Sequence, residues 1–113
     1  MQILIKGHQT EVQERWREHI YDRLSKLARF EDRIIKLEYI LTASHHHLKG
    51  NEACHIIAKV PGKTISIIKS SRTIIEAIDL SSKVLERQIQ TLWKDTKTRS
   101  RHSKLVQQVK RGI

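Results

Sequence analysis

The sequence predicts an α+β fold of order β-α-β-β-β-α, with two helices packed on one face of a four-stranded sheet. Two long segments repeat apolar residues at spacings of three and four, which is typical of amphipathic helices. Four short segments alternate apolar and polar residues, which is typical of strands. Because only one face of each strand is apolar, both helices are expected to cover that face.

The chain begins with a strand and a helix. In the strand "QILIKG", Ile3 and Ile5 lie on one side and Gly7 ends the element. The segment "TEVQERWREHIYDRLSKLARF" then turns helical, with Thr10 as its predicted N-cap. Its apolar stripe consists of Val12, Trp16, Ile20, Leu24 and Leu27.

Three further strands are predicted in "IIKLEYILTA", "EACHIIAKV" and "KTISIIKS". Pro61 and Gly62 mark the turn between the last two. Short connections predict an antiparallel meander, and the first strand, first helix and second strand predict a crossover connection. The inward residues are expected to be Ile35, Leu37, Tyr39, Leu41, Cys54, Ile56, Ala58, Val60, Ile65 and Ile67.

The last segment combines an amphipathic helix with a basic tail. The helix "SRTIIEAIDLSSKVLERQIQTLWK" has one buried face, formed by Ile74, Ala77, Ile78, Ser81, Leu85 and Leu92. Residues 94–113 contain seven Lys or Arg and one Asp, a net charge of +6, without an apolar period. We therefore expect a folded domain over residues 1–97 and a basic, flexible tail over residues 98–113.

The charge of the whole chain indicates a polyanionic partner. Its 113 residues carry 22 Lys or Arg against 12 Asp or Glu, a net +10. An anionic membrane is the weaker candidate, because no apolar run approaches the roughly 20 residues of a spanning helix. The start "MQILIKGHQTEV" lacks a signal peptide, and Cys54 is the only cysteine, so a cytoplasmic location is expected.

Exposed cations are expected to line two helical ridges. Lys83, Arg87, Gln90 and Lys94 follow each other at steps of four, three and four, so they share one side of the last helix. The first helix presents His19, Arg23 and Lys26 at similar spacing. Two such ridges would flank a cationic groove suited to a phosphate backbone, whereas a merely solvated face is the alternative interpretation.

The other polar side chains form no recognisable metal-binding or catalytic motif. His45, His46 and His47, with Cys54 and His55 nearby, lack the paired spacing of a structural zinc site, so no metal and no cofactor is predicted. His8 and Glu11 could form an acid/base pair of a nuclease, but any small protein offers such pairs. A small metal-dependent nuclease that uses the histidines is the less favoured alternative. We predict that the protein is not an enzyme.

Four stretches stand out by their order and spacing: "ILIKGHQTEV", "HIYDRLSKLARF", "PGKTI" and "EAIDLSSKVLERQIQ". Together they resemble the ribosome hibernation-promoting factor and ribosome-associated inhibitor family over about residues 1–97. The chain departs from the family pattern at Thr73 and Ile75, where members commonly have an acidic residue and a tyrosine. It resembles the short form of the family, and its basic tail favours the hibernation-promoting branch.

The resemblance implies a fold similar to double-stranded-RNA-binding domains and a place in the mRNA and tRNA channel of the small ribosomal subunit. It implies a monomeric protein that silences translation in stress or stationary phase, with or without a second factor that joins ribosomes into dimers. A general double-stranded-RNA-binding module remains an alternative. The predicted RNA-binding residues are Arg23, Lys26, Lys83, Arg87, Gln90, Lys94, Lys97, Arg99 and Arg101.

Overall fold

The computed structural model describes residues 1–43 and 52–102, and side chains up to residue 93. The sheet strands are β1 (Gln2–His8), β2 (Lys36–Thr42), β3 (Glu52–Val60) and β4 (Lys63–Ser71). The helices are α1 (Glu14–Leu24) and α2 (Ile74–His102), and a 3₁₀ helix, Ser25–Phe30, directly follows α1. The order β-α-β-β-β-α is therefore confirmed.

The four strands form one sheet in the order β1-β2-β3-β4. β1 pairs parallel with β2, as the crossover through α1 requires, and the other two pairs are antiparallel. Ile5, Tyr39, Ile56 and Ile67 lie opposite one another across all four strands. The predicted meander is confirmed, and Gly62 closes its last turn with a φ of +85°.

One face of the sheet carries the core. The predicted inward residues of β3 and β4, together with Leu37, Tyr39 and Leu41, are buried against residues of both helices. Ile35 was expected to join them but is 53% exposed, because it precedes β2, and Ile34 is buried instead. Ile89 in α2 is also buried, although the apolar pattern did not single it out.

Buried polar groups in the core have partners. The Tyr39 hydroxyl lies 2.9 Å from Ser82 Oγ, and burial raises the Tyr39 pKa well above its usual range. The Ser81 hydroxyl donates to the carbonyl of Ala77, so that this serine is accommodated on the buried side of α2. Pairing of this kind removes most of the cost of burying a hydroxyl.

The opposite face of the sheet is uncovered in the described part of the chain. Lys6 pairs with Glu38 at 2.7 Å on this face, and His55 lies 2.8 Å from Ser66 Oγ. Ile68, on the edge strand β4, is 62% exposed. The alternation of apolar and polar side chains along the strands therefore gives the sheet one face packed against the helices and one uncovered face, as expected.

The start of α1 differs from the prediction. Gln13, not Thr10, is the N-cap residue, and no side chain caps the helix. Residues 9–12 form the turn out of β1, where a Cβ on Gly7 would collide with the Thr10 carbonyl group. Thr10 donates to the Glu11 carbonyl instead, and Val12 packs against the core from outside the helix.

α2 begins as expected and extends further than expected. Thr73 Oγ1 accepts a hydrogen bond from the Glu76 backbone N–H at 3.1 Å, so Thr73 caps the helix. The helical backbone continues to His102, past the domain boundary predicted after residue 97. No glycine or proline occurs between residues 74 and 102 to stop it. Within the described residues, no helix is long and apolar enough to cross a membrane.

Candidate nucleic-acid interface

The exposed side of α2 presents two unpaired cations. Lys83, Arg87 and Gln90 are all exposed, and none of them forms a salt bridge or side-chain hydrogen bond within the described residues. At about 1.5 Å of rise per residue, Lys83 and Arg87 are about 6 Å apart along the helix axis. We call Lys83, Arg87 and Gln90 the α2 ridge. Its predicted exposure is confirmed.

Two acids of α2, Asp79 and Glu86, pair with residues of α1 rather than with the ridge. Asp79 Oδ1 lies 2.7 Å from His19 Nε2, and Glu86 Oε2 lies 3.1 Å from Arg23 Nη2. Glu76 accepts a hydrogen bond from the Ser71 hydroxyl at the start of the helix. The carboxylates closest in sequence to Lys83 and Arg87 are therefore occupied by other partners, and the charges of the ridge stay available.

Arg23 lies between the two helices. Its side chain is only 16% exposed, and Nε is 3.8 Å from Asp79 in addition to the contact of Nη2 with Glu86. Sequence analysis expected Arg23 on an exposed ridge, but the structure places it in an interhelical ion-pair cluster formed by His19, Arg23, Asp79 and Glu86. Two carboxylates already balance its charge.

Arg23 and the other members of the cluster also show how the helices are aligned. His19 meets Asp79, Arg23 meets Glu86, and Phe30 meets Trp93, so residue numbers rise together along both elements. α1 and α2 therefore run parallel, and their C-terminal ends lie at the same end of the molecule. Lys26, which is exposed and unpaired within the described residues, lies toward this end.

The remaining predicted contacts lie at the distal end of α2. Lys94, Lys97, Arg99 and Arg101 belong to the helix, since its backbone runs to His102. Their side chains are outside the described part. Together with the α2 ridge, they continue a series of cationic positions along the sequence of α2.

Cys54 and His55, which lie near the histidine triplet in the sequence, point to opposite faces of the sheet. Cys54 is fully buried, and burial raises the pKa of its thiol to about 11. Its neighbour His55 faces the open side of the sheet, since successive side chains of a strand point to opposite faces. His45, His46 and His47 lie outside the described residues, among which no three metal-binding side chains come together.

The structure also brings together residues that sequence analysis did not propose as contacts. Arg29 Cζ lies 4.8 Å from the centroid of the Phe30 ring, and Arg33 Cζ lies 5.5 Å from that of Trp93. The sequence did not indicate these arginine–aromatic contacts, because the 3₁₀ helix and the turn after it break the helical spacing from which the ridges were predicted.

A family model matches most of the described chain. Residues 3–95 match the family described as Sigma 54 modulation protein / S30EA ribosomal protein. The match covers both helices up to Asp95 and every strand. It agrees with the resemblance found in the sequence.

Named relatives agree with this match. The chain is 30% identical over 89 residues to a ribosome hibernation promoting factor of Azotobacter vinelandii, covering 79% of each chain. It is 34% identical over 93 residues to a ribosome hibernation promotion factor of Deinococcus radiodurans. That alignment includes 79% of this chain and 48% of the relative, so the chain spans about half the length of the second protein.

Solved structures share the fold. A ribosomal subunit interface protein from Coxiella burnetii superposes with a TM-score of 0.70 at 24% identity, over 81% of this chain and 97% of the other. The N-terminal domain of Protein Y from Thermus thermophilus gives a TM-score of 0.68 at 22% identity, over 81% and 99%. The chain belongs to the Sigma 54 modulation protein / S30EA ribosomal protein family.

Proposed function

We propose that this protein silences translation by binding the small ribosomal subunit in the mRNA and tRNA channel through contacts with rRNA. The observation that carries the proposal is the α2 ridge, in which Lys83 and Arg87 stay exposed and unpaired while Asp79 and Glu86 bind α1. Two relatives named as ribosome hibernation factors support the ribosome as the partner.

The proposed mechanism is steric: the protein occupies the channel and catalyses no reaction. RNA phosphates repeat along a strand, and a series of cations along a rigid helix can neutralise several of them at once and release their counterions. The sheet supports α2 along its buried side, which holds the ridge in a fixed direction. A protein bound in this way excludes mRNA and tRNA by volume, so the proposal requires no catalytic group.

Cosedimentation through a sucrose gradient tests the proposal directly. The protein should travel with purified small subunits, and added mRNA and tRNA should compete with it. A naked RNA duplex added in excess serves as the control for general RNA affinity. Equal affinity for the duplex and the subunit would favour a general double-stranded-RNA-binding module instead.

The affinity for small subunits should fall steeply as monovalent salt is raised at constant magnesium. Ten cations are proposed to contact phosphates: Lys26, Lys83, Arg87, Lys94, Lys97, Arg99, Arg101, Lys104, Lys110 and Arg111. For six to ten phosphate contacts, the expected loss is about a thousandfold or more between roughly 50 and 200 mM salt. Fluorescence anisotropy of the labelled protein measures it. A dissociation constant that stays level over this range would contradict binding through phosphates.

Removing residues 103–113 should weaken binding without lowering the thermal midpoint. The deletion removes Lys104, Lys110 and Arg111 and leaves α2 complete. Losing three cations should reduce the logarithmic salt slope by roughly 2 to 3 units. A full-length variant with these three residues changed to Gln is the matched control for charge. If the deletion lowers the midpoint but the Gln variant does not, the segment stabilises the domain instead.

A further inference from the structure

An aromatic pair closes the core where the 3₁₀ helix after α1 packs beside α2. The ring centroids of Phe30 and Trp93 are 5.4 Å apart, with an angle of 34° between the ring planes. Phe30, the last residue of the 3₁₀ helix, is 9% exposed, whereas Trp93 is only partly buried and packs against the edge of the core. The indole is therefore the accessible ring of the pair.

Two arginines lie over these rings. Arg29 covers Phe30 at 4.8 Å, and Arg33 covers Trp93 at 5.5 Å, both within the range of a cation–π contact. Both arginines are exposed, and neither forms a salt bridge in the part of the chain that the structure describes. Glu31 and Asp32 lie between them in sequence but leave both guanidinium groups unpaired.

The aromatic and cationic groups continue the proposed RNA surface. Trp93 follows Gln90 of the α2 ridge by three residues, and Arg29 follows Lys26 by three residues. From Arg87 to Trp93 the rise along the helix is about 9 Å. We call Arg29, Phe30, Arg33 and Trp93 the aromatic-arginine patch.

A purely structural role does not account for the whole patch. Closing the core at this point requires an apolar side chain, and leucine would supply it without an exposed ring edge. The patch instead adds an accessible indole and two planar cations. Single-stranded RNA is bound by this combination, because bases stack on aromatic rings and on guanidinium planes while the same cations attract phosphates.

We propose that the aromatic-arginine patch binds an unpaired nucleotide of RNA, with the base stacked on Trp93 and Arg33 and a neighbouring phosphate attracted by Arg29. The inference rests on the proposed function, because it adds base stacking to an interface that otherwise binds phosphates. It assigns the aromatic-arginine patch to a single-stranded segment of RNA, whereas the α2 ridge needs only a phosphate backbone.

Tryptophan fluorescence tests the stacking directly. Trp16 is 4% exposed, so quenching by an added oligonucleotide reports mainly on Trp93. An oligoadenylate of roughly ten nucleotides should quench the emission, and an abasic ribose-phosphate chain of equal length should not, since only the first can stack. Equal quenching by both chains, or no quenching by either, would overturn the proposal.

Substitutions distinguish the contribution of the Trp93 ring to binding from the contribution of positive charge. Trp93→Leu should weaken oligoadenylate binding about fivefold or more, whereas Trp93→Phe should stay within about twofold of the wild type. Arg33→Lys keeps the positive charge but removes the planar guanidinium group. It should weaken the binding of oligoadenylate more than the binding of the abasic chain. Lys69→Gln, an exposed lysine near the opposite end of the sheet, controls for loss of charge alone. Circular dichroism melts establish that each variant is folded.

Cosedimentation distinguishes failure of this inference from failure of the proposed function. If the wild type binds small subunits and Trp93→Leu binds them equally well, the stacking inference fails and the ribosomal function stands. If the wild type does not bind small subunits at all, the proposed function fails whatever the oligonucleotides show. A reduced affinity of Trp93→Leu for subunits, with wild-type behaviour of Trp93→Phe, supports both.

Discussion

The double reversal Lys83→Glu and Arg87→Glu is expected to abolish cosedimentation with small ribosomal subunits while the domain stays folded. Both side chains are exposed and unpaired within the described residues, so their replacement removes no native contact. Two carboxylates would then face RNA phosphates, and like-charge juxtaposition costs several kcal/mol. The affinity should fall roughly a hundredfold or more.

The same substitutions should have only a small effect on stability. Lys83→Glu introduces a like-charge pair with Asp79 one turn earlier, and such pairs cost a few tenths of a kcal/mol. The free energy of unfolding should therefore fall by about 1 kcal/mol or less. Lys63→Glu with Lys69→Glu is a matched control, because it makes an equal charge change on exposed positions of β4. Similar loss of binding in both double variants would indicate that net charge, and not the α2 ridge, governs the interaction.

Arg23→Met is expected to lower the free energy of unfolding by about 2 kcal/mol or more. The substitution keeps an apolar side chain of similar length but leaves Glu86, which is 14% exposed, without the cation beside it. Breaking a buried pair on one side is costly because the remaining charge stays uncompensated. For a domain of this size, the thermal midpoint should fall by about 10 °C.

A second substitution at Glu86 identifies the cause. Arg23→Met combined with Glu86→Gln should recover a large part of the lost stability, since no unpaired carboxylate remains between the helices. Lys26→Met, one helical turn further on and exposed, should change the midpoint little. If Arg23→Met melts like the wild type but loses subunit binding, Arg23 is an RNA contact as the sequence predicted, and the ion-pair cluster contributes little.

The sheet could be read from the sequence because each strand carries its own signal. Cys54, Ile56 and Ala58 recur at every second position, and successive residues of a strand point to opposite faces whatever the neighbouring strands are. Ile35 shows the limit of this reasoning. It has the right parity to be buried, but β2 begins one residue later, and the turn before it buries Ile34 instead.

The α2 ridge was also predictable, since helical spacing alone places Lys83, Arg87 and Gln90 on the side opposite the buried residues. The same spacing put Arg23 beside Lys26, yet only one of the two is exposed. Which flank of α1 faces solvent depends on where α2 packs. That position results from contacts between residues about 60 positions apart, such as His19 with Asp79.

The sequence by itself determined the order of the elements, the apolar face of the sheet and the excess of positive charge, because each depends on residues close together in the chain. The tertiary structure decided which charges are available. It places Asp79 and Glu86 against His19 and Arg23 and so leaves Lys83 and Arg87 unpaired. It also brings Trp93 against Phe30 and under Arg33, a group that forms only because the 3₁₀ helix packs beside α2. Ion pairing and stacking act over a few ångströms in space, and local spacing in a sequence does not reveal which distant residues come that close.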